Sequence, residues 1–133
     1  MKPFHMSPTL MTGHIQIDTE HEHLLVLLNQ FDRLLKTNDD EGCAATLTEL
    51  TEALENHLIN EENILKGHRY PGVAKHIEQH EAAKNAFLEL VKESRQNGYG
   101  LNFSDKLIAI LADDLITADL DFKIYLEKMA HKG

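Results

Sequence analysis

Two short stretches decide the fold: His57-Leu58-Ile59-Asn60-Glu61-Glu62, and Tyr70-Pro71-Gly72-Val73-Ala74-Lys75-His76-Ile77-Glu78-Gln79-His80. His57 and Glu61 stand four residues apart, as do His76 and His80, so on a helix each pair projects from one face about a turn apart. The neighbours say which face. Leu47, Leu50, Leu54 and Ile64 share the stripe of His57 and Glu61, while Val73, Ala83, Phe87 and Leu90 share that of His76 and His80. An apolar stripe of that period is the buried side of an amphipathic helix. The four polar residues therefore face a core.

The same pattern extends outward. Before these stretches, Ile17, His21, Leu24, Leu28, Phe31 and Leu35 recur every three or four residues, predicting a helix from about Asp18 to Lys36. Thr37-Asn38-Asp39-Asp40 is a polar break rich in capping residues, and the second helix runs from about Asp40 to Lys66. Gly67 to Gly72 reads as a turn, with Pro71 suited to the first position of a third helix that Asn97-Gly98-Tyr99-Gly100 stops near Gln96. A fourth helix is expected from Ser104, as N-cap, to about Met129, with Leu107, Leu111, Asp114, Leu115, Ala118 or Asp119, Phe122 and Leu126 on its stripe. Short connections between long helices favour antiparallel neighbours, hence an all-α, up-down-up-down four-helix bundle over residues 17–133. Pro3, Pro8 and Gly13 make residues 1–16 a separate N-terminal arm.

Composition narrows the function. A net charge of -9 argues against nucleic acid or an anionic membrane as partner, since both need clustered Lys and Arg. No stretch reads as a signal peptide or a membrane span. Cys43 is the only cysteine, which excludes an internal disulfide and makes a reducing cytoplasm the expected location. The unusual count is nine histidines.

His21, His57, Glu61, His76 and His80 all fall on core-facing positions. One buried histidine is ordinarily a hydrogen-bonded core residue. Five such groups on three convergent helices are costly to bury unless something pairs with them, and a shared metal is the simpler account. Imidazole with carboxylate suits iron, although spacing alone leaves zinc and manganese open. A ferritin-like site would need Glu-x-x-His on two helices. Glu20-x-x-His23 is one such match with no second copy, and His23 lies about 200° around the helix from His21.

These motifs resemble those of the hemerythrin family, especially its bacterial single-domain members. Ile17-Asp18-Thr19-Glu20-His21-Glu22-His23-Leu24 is similar to the family's I-D-x-x-H-x-x-L, His57 to Glu62 to its H-x-x-x-E-E, and Tyr70-Pro71 with His76 and His80 to its Y-P…H-x-x-x-H. The resemblance covers roughly residues 13–126. It implies two iron ions, Fe2+ or Fe3+, bridged by oxo or hydroxo and by the carboxylates of Glu61 and Asp119. His21 and His57 would hold one ion, and His76 and His80 the other. Dioxygen, or another small diatomic or peroxide, is the implied ligand.

The fourth helix departs from the family pattern W-L-x-x-H-I-x-x-x-D-x-x-Y. Without a gap, Asp119 falls on the bridging aspartate, Phe122 on the tyrosine, Ile110 on the tryptophan and Asp114 on the fifth histidine. Three readings of Asp114 follow. It ligates iron directly, favouring the ferric state; it falls short, leaving the position to water or an exogenous ligand; or His14, seven residues before His21, takes its place.

Dioxygen carriage, storage or delivery is the leading function. An enzyme or scavenger acting on peroxide or nitric oxide is the alternative, motivated by Asp114, and a redox or gas sensor working through a partner is a third. His5, His68 and His131 read as solvated surface residues, and so do Asp113 and Asp121. Glu62 points off the metal face, to support a ligand or meet solvent. Phe31, Phe87, Phe122 and Tyr125 line a small-ligand pocket or simply pack.

Overall fold

The computed structural model describes residues 12–100, 102–112 and 119–132, except for the side chains of Ala112, Asp119, His131 and Lys132. Among them the chain is all-helical, with no strand: α1 (Ile15–Lys36), α2 (Asp40–Gly67), α3 (Val73–Asn97), α4 (Phe103–Ala112) and α5 (Asp119–Lys132). The expected fourth helix corresponds to α4 and α5, and its residues 113–118 lie outside the described ones. None of the described helices is long and apolar enough to cross a membrane.

The helix starts differ from expectation in three places, each for a local reason. α1 begins at Ile15 rather than Asp18. His14 caps it, with Nδ1 accepting from the Ile17 N–H at 3.5 Å. Asp18 then folds back to accept from the Thr12 N–H, the Thr12 hydroxyl and the Gly13 N–H at 2.8 to 3.0 Å. α3 starts at Val73, leaving Pro71 in the turn rather than at the first helical position. Arg69 takes a positive φ of 54°, the Tyr70 carbonyl accepts from Val73, and the Tyr70 ring closes over Gly72, where a Cβ would lie 2.8 Å from the phenol oxygen. α4 starts one residue early, at Phe103, after Asn102 turns through a φ of 71°. Ser104, the expected cap, is instead buried, with no hydrogen-bond partner for Oγ among the described residues.

The other boundaries follow the chemistry of their caps. Asp39 Oδ1 accepts from the Gly42 N–H at 2.9 Å at the start of α2. A side chain on Gly42 would clash with that carboxylate, its Cβ falling 2.6 Å from Oδ2. Gly98, with φ of 74°, ends α3 and returns its N–H to the Ser94 carbonyl.

The helices pack as a bundle whose core divides into two regions. Leu24, Leu28, Phe31, Cys43, Leu47, Leu50, Leu54, Phe87, Leu90, Phe103 and Leu107 belong to a large apolar cluster. Ile17, Leu65 and Phe122 form a small second cluster. The first is anchored at one end of the bundle by the rings of Phe31, Tyr99 and Phe103, with centroids 5.1 to 5.5 Å apart, Tyr99 edge-on to both phenylalanines. The second gathers around the α2–α3 turn, where the rings of Tyr70, Phe122 and Tyr125 meet. Between α1 and α2, Gln30 Nε2 donates to Thr46 Oγ1 at 2.9 Å. Among these apolar groups, with the small cluster beside them, lie the polar side chains singled out above.

Candidate metal centre

α1 contributes His21, α2 contributes His57 and Glu61, and α3 contributes His76 and His80. None of the five is more than 2 % exposed. The i, i+4 spacing works as expected: His57 and Glu61 stack on one face of α2, with His57 Nε2 2.8 Å from Glu61 Oε2. His21 reaches the same place from α1, its Nε2 3.0 Å from His57 Nε2 and 3.6 Å from Glu61 Oε2. From the opposite side, His76 Nε2 lies 2.5 Å and His80 Nε2 3.3 Å from Glu61 Oε1.

The arrangement is a carboxylate with an imidazole pair on each oxygen. Two donor groups result, His21, His57 and Glu61 on one side and Glu61, His76 and His80 on the other, and each could hold a metal ion. Donors bound to one ion at about 2.1 Å stand roughly 3 Å apart, and the distances here are of that order. The donor set also fits by chemistry. Imidazole nitrogens and a carboxylate suit a divalent or trivalent first-row ion such as iron, and an ion would compensate the burial of these groups.

Outside this group the rings are held by further carboxylates. Glu20 Oε1 lies 2.8 Å from His57 Nδ1, and Glu20 Oε2 accepts from Asn60 Nδ2 at 2.9 Å and Gln16 Nε2 at 3.2 Å. Burial alone would raise the Glu20 carboxyl. The hydrogen bonds from His57, Asn60 and Gln16, with the His57 charge, outweigh it and hold the group below its ordinary 4.5. Glu62 Oε1 meets His80 Nδ1 at 3.3 Å, which gives it the supporting place expected of a residue off the metal face. Tyr70 stands edge-on to His76 at 6.4 Å, and Tyr125 donates its hydroxyl proton to the His68 carbonyl at 2.9 Å.

Asp114 and the side chain of Asp119 lie outside the described residues, as do His5 and the side chain of His131; Asp119 is the first residue of α5. His14 is not among the grouped donors. It caps α1, and its ring stands edge-on to exposed His68 at 5.7 Å. Phe31 and Phe87 pack in the large apolar cluster and Phe122 in the small one.

Glu20 is the residue that reading the sequence missed. As half of an isolated Glu-x-x-His it counted only against a ferritin-like site. One signal for it was available: it precedes His21 directly, on the side of α1 that must turn toward α2 if His21 is to meet His57.

The family described as the Hemerythrin HHE cation binding domain matches residues 12–118. A bacteriohemerythrin of Aquifex aeolicus (strain VF5) is 30 % identical over 78 residues, or 59 % of this chain. The chain spans about 60 % of the length of that relative. No solved structure matches the chain. A family match over most of the chain, on a helical bundle that gathers the family's histidine and glutamate motifs at one buried point, means that the chain belongs to the hemerythrin family.

Proposed function

We propose that this protein is a non-haem di-iron protein that binds dioxygen, for carriage, storage or delivery, within an up-down-up-down four-helix bundle. His21 and His57 hold one ion, His76 and His80 the other, and Glu61 bridges them. Asp119 is the second bridge and Asp114 completes the set. The observation that carries this reading is the division of Glu61 between two imidazole pairs, Oε2 toward His21 and His57 and Oε1 toward His76 and His80. A carboxylate serving one ion would gather its imidazoles on one side.

When bound, the iron pair supplies reversible one-electron chemistry at each ion and open positions for a small ligand. The chain's own contribution is to orient the donors and exclude water. The five donors are buried, and Ile17, Leu65 and Phe122 form an apolar cluster near the α2–α3 turn. Such a setting favours binding of a small apolar molecule over hydration of the site.

The test is iron content followed by visible spectra of the reduced protein under oxygen and again after its removal. Two irons per chain with an absorption band that appears and disappears support carriage. Rapid irreversible oxidation with peroxide turnover replaces it with a scavenging enzyme, the reading that Asp114 in place of a histidine favours. A protein holding one zinc and no iron overturns both. Asp114→His then reports on the fourth helix: if the band and the lifetime of the oxygenated form stay the same, position 114 is not at the metal.

A further inference from the structure

The outer hydrogen bonds of the candidate ligands are not equivalent. His57 Nδ1 lies 2.8 Å from Glu20 Oε1, and the other Glu20 oxygen accepts from Asn60 at 2.9 Å and Gln16 at 3.2 Å. An ionised carboxylate only accepts hydrogen bonds. The contact with His57 is therefore satisfied by a proton on Nδ1, and Nε2, 2.8 Å from Glu61 Oε2 and 3.0 Å from His21 Nε2, is the nitrogen placed to meet an ion. The matching contact on α3, from His80 Nδ1 to Glu62, is longer at 3.3 Å.

The place of Glu20 supports a lasting charge. With Thr19, His23, Ala53, Asn56 and His57 it lines a surface cleft of about 350 Å³ between α1 and α2. Its carboxylate keeps part of its hydration there, while the His57 ring beside it is 1 % exposed. A charge at such a boundary is less costly than one fully enclosed.

Resting on the metal reading above, we propose that Glu20 is a positioning residue that fixes the tautomer of His57, aims its Nε2 at the metal position and strengthens it as an electron donor. The shorter, further-anchored contact assigns this role to Glu20 ahead of Glu62. Outer carboxylates of this kind orient a ligating ring and raise its basicity. A glutamine at position 20 cannot substitute fully. Its amide would bring N–H groups against neighbours that are already donors, so His57, Asn60 or Gln16 would have to turn or change tautomer.

Nitrogen NMR of the histidine rings in the metal-free protein tests the tautomer without any iron chemistry. Nδ1 of His57 is expected to be protonated in the wild type and to lose that fixed occupancy in Glu20→Gln. Ferrous ion titrated anaerobically should bind about 10- to 100-fold more weakly to Glu20→Gln. Glu20→Asp, which keeps the charge, should recover part of the loss, and Glu62→Gln should show a smaller change. The reduction potential of the iron-loaded protein should rise in Glu20→Gln as the ligand becomes a poorer donor. A wild-type His57 with an unprotonated Nδ1 overturns the proposal even if no variant folds. So does a Glu20→Gln chain with unchanged tautomer and ferrous affinity. A tautomer that behaves as expected in chains that never take up ferrous ion, wild type included, keeps the Glu20 contact and sinks the metal reading.

Discussion

The two regions of the core are built by the same helices with the same period, yet they do opposite work. Around Phe31, Leu50 and Phe87 the inward positions are mostly apolar, with a few hydroxyls such as that of Thr46 among them. At His21, His57, Glu61, His76 and His80 the inward positions are polar, and only a small group led by Ile17, Leu65 and Phe122 adds apolar packing near the α2–α3 turn. The first region stabilises the bundle by removing hydrocarbon from water. The second opposes folding unless its groups find partners, because burying polar groups is costly. The comparison teaches that the apolar region is what allows the other to exist. A bundle with polar groups along its whole length would not hold together, and one apolar throughout would have nothing to bind with.

The largest expected effect comes from breaking the apolar region. Phe87→Ala removes a fully buried ring and should destabilise the protein by about 3–5 kcal/mol, read from urea unfolding of the metal-free chain. Loading the polar region should act in the opposite sense. Ferrous ion at a hundredfold excess over its Kd should stabilise the wild type by about 2.7 kcal/mol for each site it fills. Glu61→Gln should abolish that increment while leaving a folded chain; an equal increment in both proteins would show that Glu61 is not a ligand.

A smaller effect separates packing from polarity within the apolar region. Cys43 is fully buried there, and Cys43→Ser places a hydroxyl among hydrocarbon at a cost of about 1–3 kcal/mol, the same with and without metal. Burial, with the charges of Asp40 and Asp39, holds its thiol above the ordinary 9.0. The folded state thus favours the protonated thiol. Its contribution is complete below pH 9.0 and is lost as pH rises toward the folded-state value. The stability of wild type should fall more steeply above pH 9.0 than that of Cys43→Ala, measured by thermal melts across the alkaline range. Smallest of all, Asp39→Ala removes the cap of α2 and should cost about 1 kcal/mol, unaltered by iron. A metal-dependent cost at that position would show that the two regions are less separate than they look.

Much of this was legible before any coordinates. The i, i+4 pairs His57/Glu61 and His76/His80 and the register of His21 with Leu24 and Leu28 bring five candidate donors to one place, because helical period alone sets which side chains share a face. Helix ends were harder. Asp18 looked like a helix start and instead ties back Thr12 and Gly13; Ser104 looked like a cap and is buried. Those outcomes depend on where a neighbouring segment lies, which period does not encode. Glu20 escaped for the same reason. Its meeting with His57 and Asn60 depends on how α1 is rotated against α2, a property of the packed pair rather than of either helix.

The shared carboxylate of Glu61 has a consequence for how such a chain can change over generations. Loss of His80 or His21 would impoverish one side and leave three donors intact on the other. Loss of Glu61 would remove a donor from both at once. If each side holds an ion, a lineage can drift from two ions to one through its histidines, one step at a time, whereas position 61 offers no such gradual path. The residue that joins the two sides is also the one that makes them inherit together.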